Sequence, residues 1–379
     1  MTEAVPDKRV DWAELFFDLV FVVAVARVAT IVEEDHSALG MVRALVVFVP
    51  IYWTWVGAAV LTNAQDVSRV GVRLKLFGVA LCGIFMALAL EHAYQNTAVI
   101  FAGAYWLGRI VLGSTILRAV MRGHPLPFNP YVASMVVTGP LLVTGSLLEP
   151  PLQLAVWGLA ALLDLATPTL SRSRMSGMHF DAAHLSERFG LFVLIALGES
   201  IVAVGTSTDL DHLVVAEWAA VTAAFVLSCG LWWVYFQFAA DAVRHALATA
   251  KVQLDITRLV LSYGHLIFIA AIIVVAVGMH DSVAHPTDRL GWSVGVLLFG
   301  GVAAYLANFG FTRWAMFRLV SYTRLTTALV VLALLPLAQA LPALASIGLL
   351  AVPLVLLNVY EWLHNNKIGW RARRPEVAE

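Results

Sequence analysis

Charge is what this chain has least of. Only 13% of its 379 residues are Asp, Glu, Lys or Arg, against roughly 25% in an average soluble domain. A water-soluble protein of this length needs a charged skin, and this composition does not supply one. The shortage excludes intrinsic disorder, a coiled coil and a nucleic-acid-binding domain, so no nucleic-acid partner is expected. Cysteine is nearly absent as well. Cys82 and Cys229 both lie in apolar runs, without metal-ligand spacing and without the makings of a disulfide framework. There is no P-loop, nucleophile elbow or HExxH motif. No connection is long enough for a soluble domain; the one at 171–186 has 16 residues. Neither a cofactor nor a metal is expected.

What the chain has is oil. Sixty per cent of its residues are hydrophobic, and its mean hydropathy is +0.83. A helix needs about 20 mostly apolar residues to cross the hydrocarbon core, and backbone groups in lipid must be paired within the segment. Twelve segments qualify as such helices: 12–32, 41–62, 74–94, 97–117, 130–148, 152–170, 187–207, 213–236, 256–278, 290–309, 322–341 and 343–363. The expected fold class is therefore an all-α polytopic membrane protein. The last two segments contain Pro336, Pro342 and Pro353, and read either as two full spans or as a kinked or re-entrant pair. Glu14, Asp18 and Arg27 interrupt the first segment, which is not read as a cleavable signal peptide.

The basic residues test this count independently. With the N-terminus in the cytoplasm, 20 of the 24 lysines and arginines fall on the inside. Only Arg43 and Arg289 fall outside, and Arg27 and Arg109 lie within spans. Outer connections carry Glu33, Glu34, Asp35, Glu149, Asp209 and Asp211 instead. The positive-inside rule thus favours twelve crossings with both termini cytoplasmic. The expected organisation is a cytoplasmic N-terminus at 1–11, a six-helix half at 12–170 and a cytoplasmic connection at 171–186. A second half follows at 187–363, then a basic cytoplasmic tail at 364–379. A membrane is the expected location, with membrane lipids as its surroundings.

Some residues point to a parallel 6+6 duplication. Glu14-Leu-Phe-Phe matches Glu187-Arg-Phe-Gly, Trp53 and Trp55 match Trp232 and Trp233, and Ile84-Phe85 matches Ile267-Phe268. The offset drifts from 173 to 183 residues but keeps its order. Parallel repeats about an axis along the membrane normal occur in transporters. The alternative is the common placement of Glu, Phe and Trp at helix starts and interfaces.

A charge at mid-bilayer costs roughly 2.5–3.5 kcal/mol on insertion scales, so ionisable residues within spans are the first functional candidates. Glu199 lies ~18 Å along its helix from Glu187, near the expected midplane. It follows Gly198, on a glycine face shared with Gly190 and Gly205 that would admit a neighbouring helix. Arg109, mid-way along the fourth segment, is its expected counter-ion. Glu14 and Asp18 are one turn apart on one helix face and are read as a second site able to share a proton, or, for Glu14, as an interfacial first-turn acid. Arg27 would find Glu91 or Glu33. Second-tier candidates are Glu187, Arg188, Ser200, His184, His265, Asp164, His92 and Glu91. His184 and Glu187 at i, i+3 resemble half of a metal pair, but no second set accompanies them. The simpler reading makes Ser186 an N-cap with Glu187 in the first turn.

The acidic motifs carry a family resemblance. Glu14-Leu-Phe-Phe-Asp18-Leu-Val-Phe resembles the opening of the bacterial low-temperature-requirement A family. Glu187-Arg-Phe-Gly-Leu-Phe-Val-Leu-Ile-Ala-Leu-Gly-Glu199-Ser200 and Trp232-Trp233-Val-Tyr235-Phe236 are similar to it too, and the likeness covers nearly the whole chain. It implies a polytopic bacterial membrane protein named for growth in the cold. It adds weight to Glu14, Asp18, Glu187, Arg188, Glu199 and Ser200 without naming their task. Three functions compete. The first is a secondary transporter of a small solute, proton-coupled through Glu199 with Arg109 and through Asp18 with Glu14. The second is an intramembrane enzyme acting on a lipid or apolar substrate by general acid–base chemistry. The third is a membrane sensor or scaffold.

Overall fold

A computed structural model describes residues 8–206, 215–237 and 239–372. Asp209, Asp211, Arg373 and Arg374 lie outside the described residues, as do the side chains of Lys367, Trp370 and Arg371. Apart from a single helical turn at Arg172–Met175, thirteen helices make up the architecture among the described residues. They are α1 (Trp12–Glu34), α2 (Ala38–Ala64), α3 (Val70–His92), α4 (Ala98–Met121), α5 (Pro130–Gly145), α6 (Pro150–Leu170) and α7 (Ala182–Thr206). There follow α8 (Val215–Phe236), α9 (Ala239–Thr249), α10 (Gln253–Ala284), α11 (Trp292–Phe317), α12 (Tyr322–Ala338) and α13 (Ala343–Ala372).

Ten of the helical segments are long and apolar enough to cross a membrane; α5 and α12 are apolar but shorter. The twelve expected segments therefore resolve into ten long helices and two short ones. At 1.5 Å per residue, α5 and α12 reach only about 25 Å, short of a ~30 Å hydrocarbon core. The reason is local. A turn at 146–149 ends α5 before Pro150, and Pro336 lies in the last turn of α12. The 322–363 region is a helical hairpin, with Pro342 in the turn and Pro353 inside α13. The sequence reading did not anticipate α9, a short amphipathic helix between α8 and α10.

Capping residues set the starts. Asp11 accepts the backbone N–H of Ala13, and Glu14 returns a bond to the backbone N–H of Asp11 at 2.9 Å, a reciprocal cap. Ser37 caps α2, and Asn129 caps α5 with Pro130 in its first turn. Helix α7 begins at Ala182, five residues before Glu187, because Asp181 rather than Ser186 is its cap. The Asp181 carboxylate accepts the His184 backbone N–H at 2.9 Å, while Ser186 Oγ turns back on the Ala182 carbonyl.

The first six helices and the second six pack in the same order. In the first set, α1 touches α2 and α3, α3 touches α4, and α4, α5 and α6 follow until α6 closes on α2. In the second, α7 touches α8 and α10, α10 touches α11, and α11, α12 and α13 follow until α13 closes on α8. The sets meet where α1 and α2 lie against α7 and α10. Helix α2 is the most enclosed span, with 83% of its apolar window buried. The paired tryptophans differ between the sets: Trp53 and Trp55 are buried, Trp232 and Trp233 partly exposed.

Three π-helical stretches interrupt the ladder: Ser134–Thr138 in α5, Thr257–Gly264 in α10 and Val296–Gly300 in α11. Such turns widen the helix and are frequent at functional sites. Two of them carry residues of the polar centres described next.

Candidate functional site

The first centre joins the leading helices of the two sets. Glu14 and Asp18 on α1 and His184 and Arg188 on α7 are all 0% exposed. The spacing i, i+4 on each helix puts both pairs on facing stripes. Arg188 Nη1 donates to Glu14 Oε1 at 2.6 Å, and Nη2 donates to Asp18 Oδ1 at 2.6 Å. The Arg188 guanidinium lies 5.8 Å from the ring centre of Trp55 and 6.0 Å from that of Phe17. Trp55 Nε1 donates to the same Asp18 oxygen at 2.8 Å. Phe192 stacks on the indole, with centroids 4.2 Å apart.

The histidine tautomer follows from its neighbours. The backbone N–H of Asp181 donates to Asn63 Oδ1, and Asn63 Nδ2 donates to the Asp181 carbonyl. The Asn63 amide is thereby oriented, and its NH2 group faces His184 Nδ1 at 3.1 Å. Nδ1 is an acceptor, so the proton sits on Nε2 and is donated to Glu14 Oε2 at 3.0 Å. His184 is a neutral donor here. Two carboxylates then face one guanidinium. Asp18 Oδ2 and Arg188 Nε are buried without a partner.

Lys8 closes the edge of this centre. Its ammonium donates to the carbonyls of Thr62, Asn63 and Gln65 at the end of α2, and its backbone N–H donates to Asp181, satisfying carbonyls a helix end leaves open. Burial pulls the Lys8 ammonium below its ordinary value, against the opposing pull of Glu14, Asp66 and Asp181.

The second centre lies on the other side of α2. Trp55 and Thr62 face the first centre, and Trp53 and Gly57, about half a turn round, face the second. Arg109 on α4 is 1% exposed. Its Nη1 donates to the Trp53 carbonyl at 2.9 Å and its Nη2 to Ser134 Oγ at 2.9 Å. A methyl group at Gly57 would sit 2.7 Å from Nη1, so the absent side chain admits the guanidinium. Ser134 passes the contact on to Asp164 on α6 at 2.9 Å, and Thr138 and Tyr105 also donate to that carboxylate. The π turn of α5 brings Ser134 and Thr138 to one face. A third, smaller centre couples α8 to α10. Tyr235 donates to His265 Nε2 at 2.6 Å, and His265 Nδ1 donates to the Val260 carbonyl in the π turn.

These placements revise the sequence reading. Arg109 is not the partner of Glu199; Ser134 and Asp164 occupy that role. Glu199 lies 17 residues into α7, ~26 Å from its start, because the helix begins earlier than expected. It is therefore near the opposite end rather than midway. It is partly exposed, and the charge acting on it is another acid, Glu33. A side chain at Gly198 would touch nothing within 4 Å, so no tight helix seam forms there. Glu14 and Asp18 do not share a proton directly, since Arg188 bridges them. Arg188 was counted with the cytoplasmic charges and is instead fully buried. Glu187 is exposed and diverges from His184, so the two do not converge on a metal. Glu91 and His92 are exposed, and Arg27 lies 3.8 Å from Glu91. Ser200 donates to the Leu197 carbonyl at 2.6 Å within its own helix. Trp55, Asn63 and Lys8 were missed. Trp55 was legible only as one of a tryptophan pair, and nothing in sequence linked Lys8 to the end of α2.

A family model described as bacterial low temperature requirement A protein matches residues 9–359. An uncharacterized protein of Rhizobium meliloti (strain 1021) is 29% identical over 370 residues, covering 94% of this chain and 89% of the relative. No solved structure matches the chain.

Proposed function

The chain belongs to the bacterial low temperature requirement A family and is a multi-pass membrane protein; we propose that it is a proton-coupled secondary transporter of a small solute in the bacterial inner membrane. In this reading α5 and α12 also cross, with the bilayer thinned locally around their shorter reach, giving twelve crossings with both termini in the cytoplasm. The two sets of six are parallel repeats, and the identical order of helix packing in each supports this. Such repeats in transporters move against each other about a site at their interface.

The observation that carries the proposal is the Glu14–Arg188–Asp18 bridge. It ties the first helix of one set to the first helix of the other, with every charge buried. Two acids against one guanidinium leave an acceptor, Asp18 Oδ2, without a donor. A proton arriving there removes the second negative charge and weakens the hold of Arg188 on α1. His184, which donates to Glu14, is the neighbouring proton donor. This arrangement is the closed state, in which the repeats are locked. Protonation frees α7 to move relative to α1.

The test is flux in proteoliposomes across a broad solute panel, with and without a pH gradient. Gradient-driven flux of at least one solute is expected, and Asp18→Asn should abolish the dependence on the gradient while the protein still unfolds cooperatively. Absence of gradient-driven flux for every solute, or unchanged coupling in Asp18→Asn, refutes the proposal.

A further inference from the structure

Between the two sets, on the Trp53–Gly57 side of α2, lies a cavity of about 60 Å3. Its walls come from α2, α4, α5 and α6 of the first set and from the π turn of α10 in the second, with Met175 and Phe180 of the intervening connection at one side. The volume holds one or two water-sized species, each taking about 30 Å3 in the liquid. That excludes a sugar, a nucleotide or a lipid.

Two arginines line this space, Arg109 and Arg258, and no carboxylate does. Three polar atoms on its lining residues are buried without a partner: Arg109 Nε, Arg258 Nε and Thr257 Oγ1. Arg109 and Thr257 are 1% and 4% exposed. Buried polar groups are nearly always paired, and an unpaired one costs about 1–3 kcal/mol. All three unmet groups can donate. Two can only donate, because a guanidinium has no acceptor. The local charge has the same sign. Asp164 answers Arg109 through Ser134, and Asp255 is shared between Arg258 at 3.4 Å and Arg172, which holds it through two bonds of 2.6 Å. Three guanidiniums against two carboxylates leave one positive charge over.

We infer that this cavity is a binding site for a small monovalent anion of halide or nitrate size, held by Arg109, Thr257 and Arg258. Seated there, the anion touches both sets at once, because Arg109 belongs to α4 and Thr257 and Arg258 to α10. It takes up the surplus charge and the unmet donors together. The inference does not depend on transport; it concerns equilibrium binding in the resting protein.

The probe is bromide. The full-length protein in lipid nanodiscs is melted in increasing sodium bromide, with sodium gluconate holding ionic strength constant, since gluconate is too large for the cavity. Bromide should raise the melting temperature saturably, by about 2 °C or more. Thr257→Val, near-isosteric and one donor short, should weaken the apparent affinity about tenfold, the equivalent of 1.4 kcal/mol, with its melting in gluconate close to wild type. Arg258→Gln should weaken it similarly and serves if Thr257→Val does not fold. Coincident bromide and gluconate curves would mean that water alone fills the cavity, and would overturn the inference. So would a bromide effect of full size in both variants. Because no gradient is applied, failure here leaves the transport reading standing, and failure of transport leaves this test intact.

Discussion

Arg188 and Asp18 meet at 2.6 Å with neither side chain exposed, although 170 residues separate them in the chain. Breaking a buried pair by removing one partner costs about 3–5 kcal/mol, because the other charge is left uncompensated. Arg188 compensates two. Arg188→Met should therefore destabilise by at least that range, read as the drop in unfolding free energy in detergent. The triple change Glu14→Leu, Asp18→Leu, Arg188→Met should cost less than Arg188→Met alone, since apolar replacement of a whole buried set is often neutral. A triple variant less stable than the single would contradict this account.

Asp164 has its own signature. Tyr105, Ser134 and Thr138 all donate to it. Tyr105→Phe should cost about 1–3 kcal/mol, the usual charge for leaving a buried acceptor short. Ser134→Ala should cost more than Thr138→Ala, because Ser134 alone also receives Arg109. Thermal unfolding of the three variants side by side decides the order.

Glu199 should behave differently. It is partly exposed and the charge acting on it is a like one. Glu199→Gln should change stability by no more than ~0.5 kcal/mol, as surface substitutions do, and should leave proteoliposome flux unchanged. A loss comparable to that of Asp18→Asn would restore Glu199 to the centre of the mechanism.

Lys8 predicts a pH dependence. Burial holds its ammonium below the ordinary value of 10.5, so between the lowered value and 10.5 the unfolded chain binds more protons than the folded one. Stability then rises with pH across that window. The difference in melting temperature between wild type and Lys8→Met should grow in favour of wild type as the pH is raised through it. A constant difference would show that the ammonium is not desolvated.

The spans were legible because lipid imposes one rule on the whole backbone: about 20 apolar residues per crossing, with few charges. The partners were not, because no such rule relates residues on different helices. Glu199 and Arg109 looked like a pair only because both appeared mid-span and opposite in sign. Where α7 starts decided the matter. With Ser186 as cap, Arg188 belongs to the helix entrance; with Asp181 as cap, it is a full turn and more inside. The Asp181-Ala-Ala-His184 spacing carried that signal, and Ser186 ahead of Glu187 outcompeted it on inspection. The short reach of α5 and α12 was likewise hidden, since hydropathy does not register where a turn or a proline ends a helix.

Helix α2 presents Trp55 and Thr62 to one charged centre and Trp53 and Gly57 to the other, from positions two residues apart at the nearest. Its geometry is that of a camshaft: any roll about its long axis would retreat from one cluster of charges by the same motion that pressed upon the second. A change at the pair of acids on one flank would then reach the arginine-lined chamber on the other without any relay of side chains between them.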